Sequence, residues 1–153
     1  MAAPNLDAAA IWSGLLSHLK ALGVFADVLG HEPVDPPVGL VAALTGDTIN
    51  PVTSSGLGAT STRLNLVLRI YLSADTEPRD DIDPTMVTAF AKVGASLSGD
   101  FDLGGLLREV DLLGIEGEPL SGRFGYVRIV GPLYRLLTVQ LPLVCNDVWT
   151  QAP

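Results

Sequence analysis

The sequence has few of the residues on which redox chemistry or nucleic-acid binding depends. Its single cysteine, Cys145, can form neither an intrachain disulfide nor a cysteine-based metal site. Nine lysines and arginines against seventeen aspartates and glutamates give a net charge of −8, which argues against binding nucleic-acid phosphates through a basic patch. No uninterrupted apolar run reaches the ~18 residues of a membrane span, and no basic cluster opens a signal peptide. We therefore expect no membrane segment and synthesis in a reducing cytoplasm.

Apolar residues are abundant but dispersed. They make up 48% of the 153 residues, and the mean hydropathy is +0.39. This excludes a largely disordered chain, and the length suits one domain with its own core, which we expect to span residues 1–153. Apolar neighbours around Cys145 indicate a half-buried, inert thiol.

Two helices are predicted from caps and apolar spacing. Asp7 is a suitable N-cap for a helix that runs to about Leu22 and stops at Gly23. Asp83-Pro84 offers a cap followed by proline at the first helical position, and Ser98-Gly99 ends that second helix. Apolar residues recur at steps of three and four in both segments: Ile11, Leu15, Leu19 and Leu22, then Met86, Phe90, Val93 and Leu97.

Strands are predicted where apolar residues alternate. The longest alternation covers residues 63–72, with leucine or isoleucine at every even position. Apolar residues at 137, 139, 141 and 143 predict a second strand, which pairs with Gly125–Val130 around the turn Gly131-Pro132 and ends at Pro142 because proline has no amide proton. Shorter strands are expected over residues 24–29, 39–45 and 106–113. This order predicts an α+β domain, one mixed or mostly antiparallel sheet with two helices packed on it.

Two loops stand out by composition. Gly46–Ala59 is rich in glycine, serine, threonine, asparagine and proline, and Asp75–Asp83 is acidic. Gly56 and Gly58 form a Gly-x-Gly, but a phosphate-binding loop needs a helix N-terminus after it, whereas a strand follows here. We therefore interpret the first segment as a plain loop.

The acidic residues admit a metal site as an alternative. Asp100, Asp102, Gly105 and Asp111 fall at positions one, three, six and twelve of a calcium-binding loop, although position twelve is not glutamate. The favoured interpretation is a turn in which Asp100 and Asp102 accept backbone N–H groups.

The acidic loop admits a similar alternative. Asp80, Asp81 and Asp83 could hold a hard cation together with Asp75 and Glu77. The favoured interpretation is negative charge at a helix N-terminus, where the helix dipole stabilises it.

The remaining polar residues form no recognisable catalytic pattern. His18 lies in the first helix and His31 precedes a proline-rich loop, and neither is next to a serine or cysteine motif. Arg63, Arg69 and Arg108 are interpreted either as solvated surface charges or as partners for the Asp75–Asp83 loop of a neighbouring subunit, since arginine suits planar carboxylate contacts. The sequence does not indicate an enzyme.

Five groups of residues carry a family resemblance. In order, they are Asp81-Ile82-Asp83-Pro84; Ser98-Gly99-Asp100-Phe101 with Leu103-Gly104-Gly105; Arg108-x-Val110-Asp111-Leu112-Leu113-Gly114; Leu133-Tyr134-Arg135; and Leu141-Pro142-Leu143-Val144-x-Asn146-Asp147-Val148-Trp149. In this order and spacing the chain resembles the tail terminator, or tail-completion, proteins of long-tailed actinobacterial phages (siphophages). The resemblance covers nearly the whole chain and is weakest over residues 46–59.

The resemblance implies a structural virion protein at the head–tail junction, made in the host cytoplasm. It implies a homohexameric ring that caps the tail tube, stops its polymerisation and joins it to the neck. Its partners would be other copies of itself, the tail tube protein and a neck protein, with DNA passing through the lumen without specific binding. The resemblance implies no catalysis, no cofactor and no membrane. The alternatives are a head–tail connector ring of the same virion and a small metal-dependent enzyme using the aspartates above.

A ring is also compatible with the residues themselves, because long strands need their edges paired or protected and contacts that close by rotation form rings. The candidate subunit or lumen contacts are Arg63, Arg69, Asp80, Asp81, Asp83, Arg108 and Trp149.

Overall fold

The computed structural model describes residues 6–53, 55–56 and 58–150. Within these residues it contains two α-helices and six strands. The helices are α1 (Ala8–Ala21) and α2 (Ile82–Gly99), and a 3₁₀ turn (Arg79–Asp81) precedes α2. The strands are β1 (Asp27–Leu29), β2 (Val41–Pro51), β3 (Ala59–Ser73), β4 (Glu109–Val110), β5 (Ser121–Arg128) and β6 (Leu133–Thr150).

All six strands belong to one sheet. Its main order is β1-β2-β3-β6, and beyond β6 the sheet divides, because β5 pairs with residues 133–140 of β6 and β4 pairs with residues 143–144. Only β1 and β2 are parallel. The predicted α+β fold, with two helices on a mixed, mostly antiparallel sheet, is confirmed.

The core lies between the two helices and one face of the sheet. The even-numbered residues of β3 face this core, as the alternation predicts, and Leu66, Leu68 and Ile70 are fully buried. Across from them α1 contributes Ile11, Leu15 and Leu19, and α2 contributes Met86, Val93 and Leu97. Burial of each such side chain contributes about 1.5–3 kcal/mol, so the apolar stripes hold the helices on the sheet.

Cys145 also lies in this core. It is more deeply buried than expected, and burial raises the pKa of its thiol to about 11.

The first helix begins as predicted, but the second does not. The Asp7 carboxylate accepts the Ala10 N–H at 3.1 Å, an N-cap contact. The predicted cap at Asp83 is wrong, because α2 already begins at Ile82 after the 3₁₀ turn. Asp83 lies inside the helix and its carboxylate binds Arg135 instead. The acidic loop is accordingly shorter than the predicted 75–83.

The strand β6 does not end at Pro142. It continues to Thr150 and pairs with β3 on both sides of the proline. The Pro142 carbonyl accepts the Asp111 N–H at 2.9 Å, on the side away from β3. Because the N and O of one residue in an antiparallel strand point the same way, the Pro142 nitrogen faces the division between β5 and β4. No ladder bond to β3 is lost, so the proline is tolerated inside a long strand.

Other predicted boundaries also differ from the structure. The predicted strand 24–29 is Asp27–Leu29, and the predicted partner strand 125–130 is Ser121–Arg128. The first six residues of the predicted loop 46–59 are strand, because β2 runs on to Pro51 with a bulge at Asp47, and residues 52–58 connect it to β3. Ser54 and Leu57 of that connection lie outside the described residues. The predicted strand 106–113 shrinks to Glu109–Val110, because turns bonded to aspartate side chains occupy both of its flanks.

Candidate functional site

Arg63 is buried, which corrects the prediction that it is a surface charge. Its side chain forms an ion pair with Asp111, with 3.5 Å between Nη2 and Oδ2. Nη1 donates to the Asn65 side chain and Nη2 to the carbonyl of Glu118, while Nε is buried without a partner. Position 111 follows position 63 by 48 residues, so no local pattern in the sequence could have found this pair.

The Arg63–Asp111 pair fixes the loop of residues 112–118. The Asp111 carboxylate accepts the N–H groups of Ile115 and Glu116, both at 2.9 Å. Gly117 packs so closely on Arg63 that a Cβ there would lie 2.8 Å from the guanidinium carbon. The loop that is held in this way exposes Leu113 by 84% and Ile115 by 77%.

Arg69 lies on the sheet face opposite the helices, which we call the outer face. It forms an ion pair with Glu32, and the Tyr71 hydroxyl donates to the other Glu32 oxygen at 2.6 Å. Burial, followed by the Glu32 contact, raises the pKa of Tyr71. The Tyr134 hydroxyl donates to the Pro37 carbonyl at 3.0 Å. These contacts fasten the proline-rich segment 31–38 across the outer face, so Arg69 is engaged within its own chain.

Asp83 and Arg135 form an exposed ion pair at the start of α2. Both guanidinium contacts are short, at 2.9 Å from Nε and 3.2 Å from Nη2. The hydrogen bond from Arg135 lowers the pKa of Asp83 below its ordinary value. The guanidinium also stacks between the rings of Phe124 and Tyr126, at 4.8 and 4.4 Å from their centroids. The two rings on β5 are thereby held in place at the sheet edge.

The other predicted contact residues remain accessible. Asp80 and Asp81 are exposed in the 3₁₀ turn, and Arg108 is half exposed with Glu109 at 4.0 Å. Trp149 is 46% exposed at the end of β6, opposite Thr60 and beyond a bulge. The role of all seven predicted residues in subunit or lumen contacts stays a prediction.

The structure brings His18 next to Ser96 and Asp100, a grouping that the sequence did not reveal. His18 Nδ1 lies 3.0 Å from the Ser96 hydroxyl and Nε2 lies 2.7 Å from Asp100. The hydrogen bond from His18 is the main cause that lowers the pKa of Asp100.

This Ser–His–Asp grouping lacks the surroundings of a catalytic triad. Ser96 is inside α2, where the helix uses the nearby N–H groups, so they cannot serve as donors to an oxyanion. The adjoining cavity has a volume of only about 10 Å³, lined mostly by leucines. The grouping therefore links the end of α2 to α1.

The calcium-loop spacing does not produce a calcium-binding loop. Asp100 accepts the Gly104 N–H at 3.0 Å, as the turn interpretation predicts, while the Asp111 carboxylate is committed to its own loop and to Arg63. In the described part of the chain, no three histidine, cysteine, aspartate or glutamate side chains are grouped to hold a metal ion. Neither helix in that part is long and apolar enough to cross a membrane.

Comparisons with known proteins find likeness to solved structures but no family. No protein-family profile matches the chain, and no curated protein matches it. Among solved structures, a chain from the virion of a native gene transfer agent particle is similar at 14% identity and a TM-score of 0.37. The match covers 87% of this chain and 92% of that one. A TM-score of this size does not establish a common fold, so the proposal below depends on the chain's own residues.

Proposed function

We propose that this protein is a structural component of a phage virion, a tail terminator that assembles as a ring on the finished tail tube. The ring, of six copies by the family resemblance, would stop tube polymerisation and join the tube to the neck. The motif resemblance described above supports this assignment. The observation that carries it in the structure is the presentation of large apolar side chains on segments that polar contacts hold in place.

The loop 112–118 is the main example of such a segment. Leu113 and Ile115 are almost fully exposed, yet a buried ion pair and two backbone contacts fix the loop that bears them. The ion pair holds the loop in one conformation at the cost of taking both charges out of water, which favours a loop whose exposed side chains meet a partner. Covering the two side chains would contribute about 1.5–3 kcal/mol each to association.

Charge supports the same assignment. The net charge of −8 disfavours DNA adhesion, which suits a ring through whose lumen DNA slides. Among the predicted contact residues, the accessible side chains are those of Asp80, Asp81, Asp83, Arg108 and Trp149. Arg63 and Arg69 support the ring indirectly, by holding the loop 112–118 and the segment 31–38.

The assignment is tested with the pure protein and with virions. Negative-stain images should show rings, and a cryo-EM map of the virion neck should place the chain directly on top of the tail tube. In fractionated lysates a terminator stays with headless tails, whereas a connector stays with tailless heads. Absence of the chain from the tail top, with copurification on tailless heads, would contradict the terminator assignment.

A further inference from the structure

The edge of β5 is the longest uninterrupted strand edge in the described residues, and its charged side chains are Arg123 and Arg128. β1 has three residues and β4 has two, and such short edges cannot template another strand. Beyond its pairing with β1, the edge of β2 is interrupted by the bulge at Asp47 and ends in Pro51. β5 has eight residues with no proline and no bulge, and it pairs only with β6.

The open side of β5 presents four residues. The even-numbered residues of β6 direct their N–H and C=O groups towards β5, as the carbonyls of Pro142 and Val144 do towards the β4 side. In the register of the two strands, these even-numbered residues of β6 lie opposite the odd-numbered residues of β5. The odd-numbered residues of β5 are therefore the ones whose backbone groups bond to β6. The backbone groups of Gly122, Phe124, Tyr126 and Arg128 consequently point away from the sheet, and all four residues are exposed.

We propose that this edge pairs with the same edge of a second copy, in an antiparallel arrangement centred on Gly125. In that register Phe124 lies opposite Tyr126 and Gly122 lies opposite Arg128, each twice by symmetry. Every outward backbone group then meets an outward group of the second copy, which gives eight hydrogen bonds. Moving the centre by one residue, to Phe124 or Tyr126, leaves outward groups of the strand without a partner.

The side chains support this register. Phe124 and Tyr126 become cross-strand aromatic pairs, and Arg135 already holds both rings in place, which reduces the entropy lost on association. Arg123 lies opposite Val127 and Arg128 opposite Gly122, so no two like charges face each other. The partner that fits the edge is therefore another copy of this chain.

The pairing goes beyond the ring proposed above and does not depend on it. A two-fold contact joins chains in pairs, whereas a polar ring on a tail tube needs a head-to-tail contact. Failure of the pairing would leave the terminator assignment untouched, because that assignment is tested by location in the virion.

The substitution Gly125→Cys tests the register directly. A Cβ at Gly125 meets nothing within 4 Å, so the fold should tolerate the change. The two introduced thiols would lie at a non-hydrogen-bonded pair with Cα atoms about 4.5 Å apart, inside the range of a disulfide. We expect a disulfide-linked dimer on a non-reducing denaturing gel after mild oxidation, whatever larger assembly the protein forms.

The matched control is Arg123→Cys, on the same exposed strand. In the proposed register, position 123 lies opposite residue 127 of the second copy, four residues from that copy's own position 123. The two thiols would therefore be about 13 Å apart and should not cross-link. The native Cys145 is buried and should not contribute. Equal cross-linking of both variants, or none of either, would overturn the proposal.

A second measurement uses the unmodified chain. Sedimentation equilibrium should detect the pair, and Tyr126→Thr should weaken it about tenfold or more, since two aromatic pairs are lost while strand propensity is kept. A chain that sediments as a monomer at ~100 µM, a concentration at which even weak specific pairs form, would also overturn the proposal.

Discussion

Arg63 and Asp111 show how much of this molecule depends on single polar side chains. Both are buried, and they connect the middle of the sheet to the exposed loop 112–118. The alternation placed Arg63 on the polar side of β3 correctly. It could not reveal that a distant loop covers that position, because burial there depends on contacts between residues far apart in the sequence.

Loss of the Asp111 carboxylate should therefore be costly. We expect Asp111→Ala to lower the free energy of unfolding by about 3–5 kcal/mol, because Arg63 is left buried without its counter-charge. Urea unfolding followed by circular dichroism measures this. Asp80→Ala, at an exposed aspartate of the 3₁₀ turn, should change stability by less than about 0.5 kcal/mol. Equal effects would contradict the structural role of the pair.

The Asp83–Arg135 pair predicts a dependence of stability on pH. The contact lowers the pKa of Asp83, so its contribution is present above the ordinary value of 3.8 and is lost as the pH falls through the lower folded-state pKa. Asp83→Asn should cost no more than about 1 kcal/mol near neutral pH, because the pair is exposed, and nothing near pH 2. Thermal unfolding of the unmodified protein and of Asp83→Asn, measured from neutral pH down to about pH 2, tests this prediction. A difference in stability between the two proteins that persists in acid would contradict it.

At the scale of elements, periodicity predicted the parts that face the core, and its errors lie elsewhere. α1, β3 and the alternating half of β6 follow their apolar patterns because one side of each packs against the core. Residues 46–51 of β2 have no such pattern, since all six are exposed, and they were predicted as part of a loop. The sequence also could not show that β6 has one neighbour on one side and two on the other.

The position of Pro142 gives a prediction at this scale. Because its nitrogen faces the division between β5 and β4, Pro142→Val should change the free energy of unfolding by less than about 1 kcal/mol. Leu141→Pro, one residue earlier, removes an N–H that faces β3 as well as a buried leucine, and should cost about 3 kcal/mol or more. Chemical unfolding of the two variants compares them. A larger loss from Pro142→Val would contradict the assigned direction of that nitrogen.

For the whole molecule, the proposed function rests on side chains that the isolated chain leaves uncovered. Trp149 is 46% exposed, whereas Trp12 packs partly against the core and over Gly46. Trp149→Ala should weaken the ring more than the subunit fold, and Trp12→Ala should do the reverse. Sedimentation velocity and thermal unfolding measure the two properties separately. Equal losses of assembly and of fold stability from Trp149→Ala would contradict its role at a subunit contact.

The long pairing of β6 with β3 also has a mechanical consequence. The two strands are antiparallel and bonded from residues 134 to 150 of β6, with the bonds perpendicular to the strands. A pull along β6 therefore loads many hydrogen bonds in shear at once, whereas a pull across the sheet would open them one at a time. The subunit should therefore be stiffest along this strand direction. An assembly that bears tension would resist it best if β6 lay along the direction of the pull.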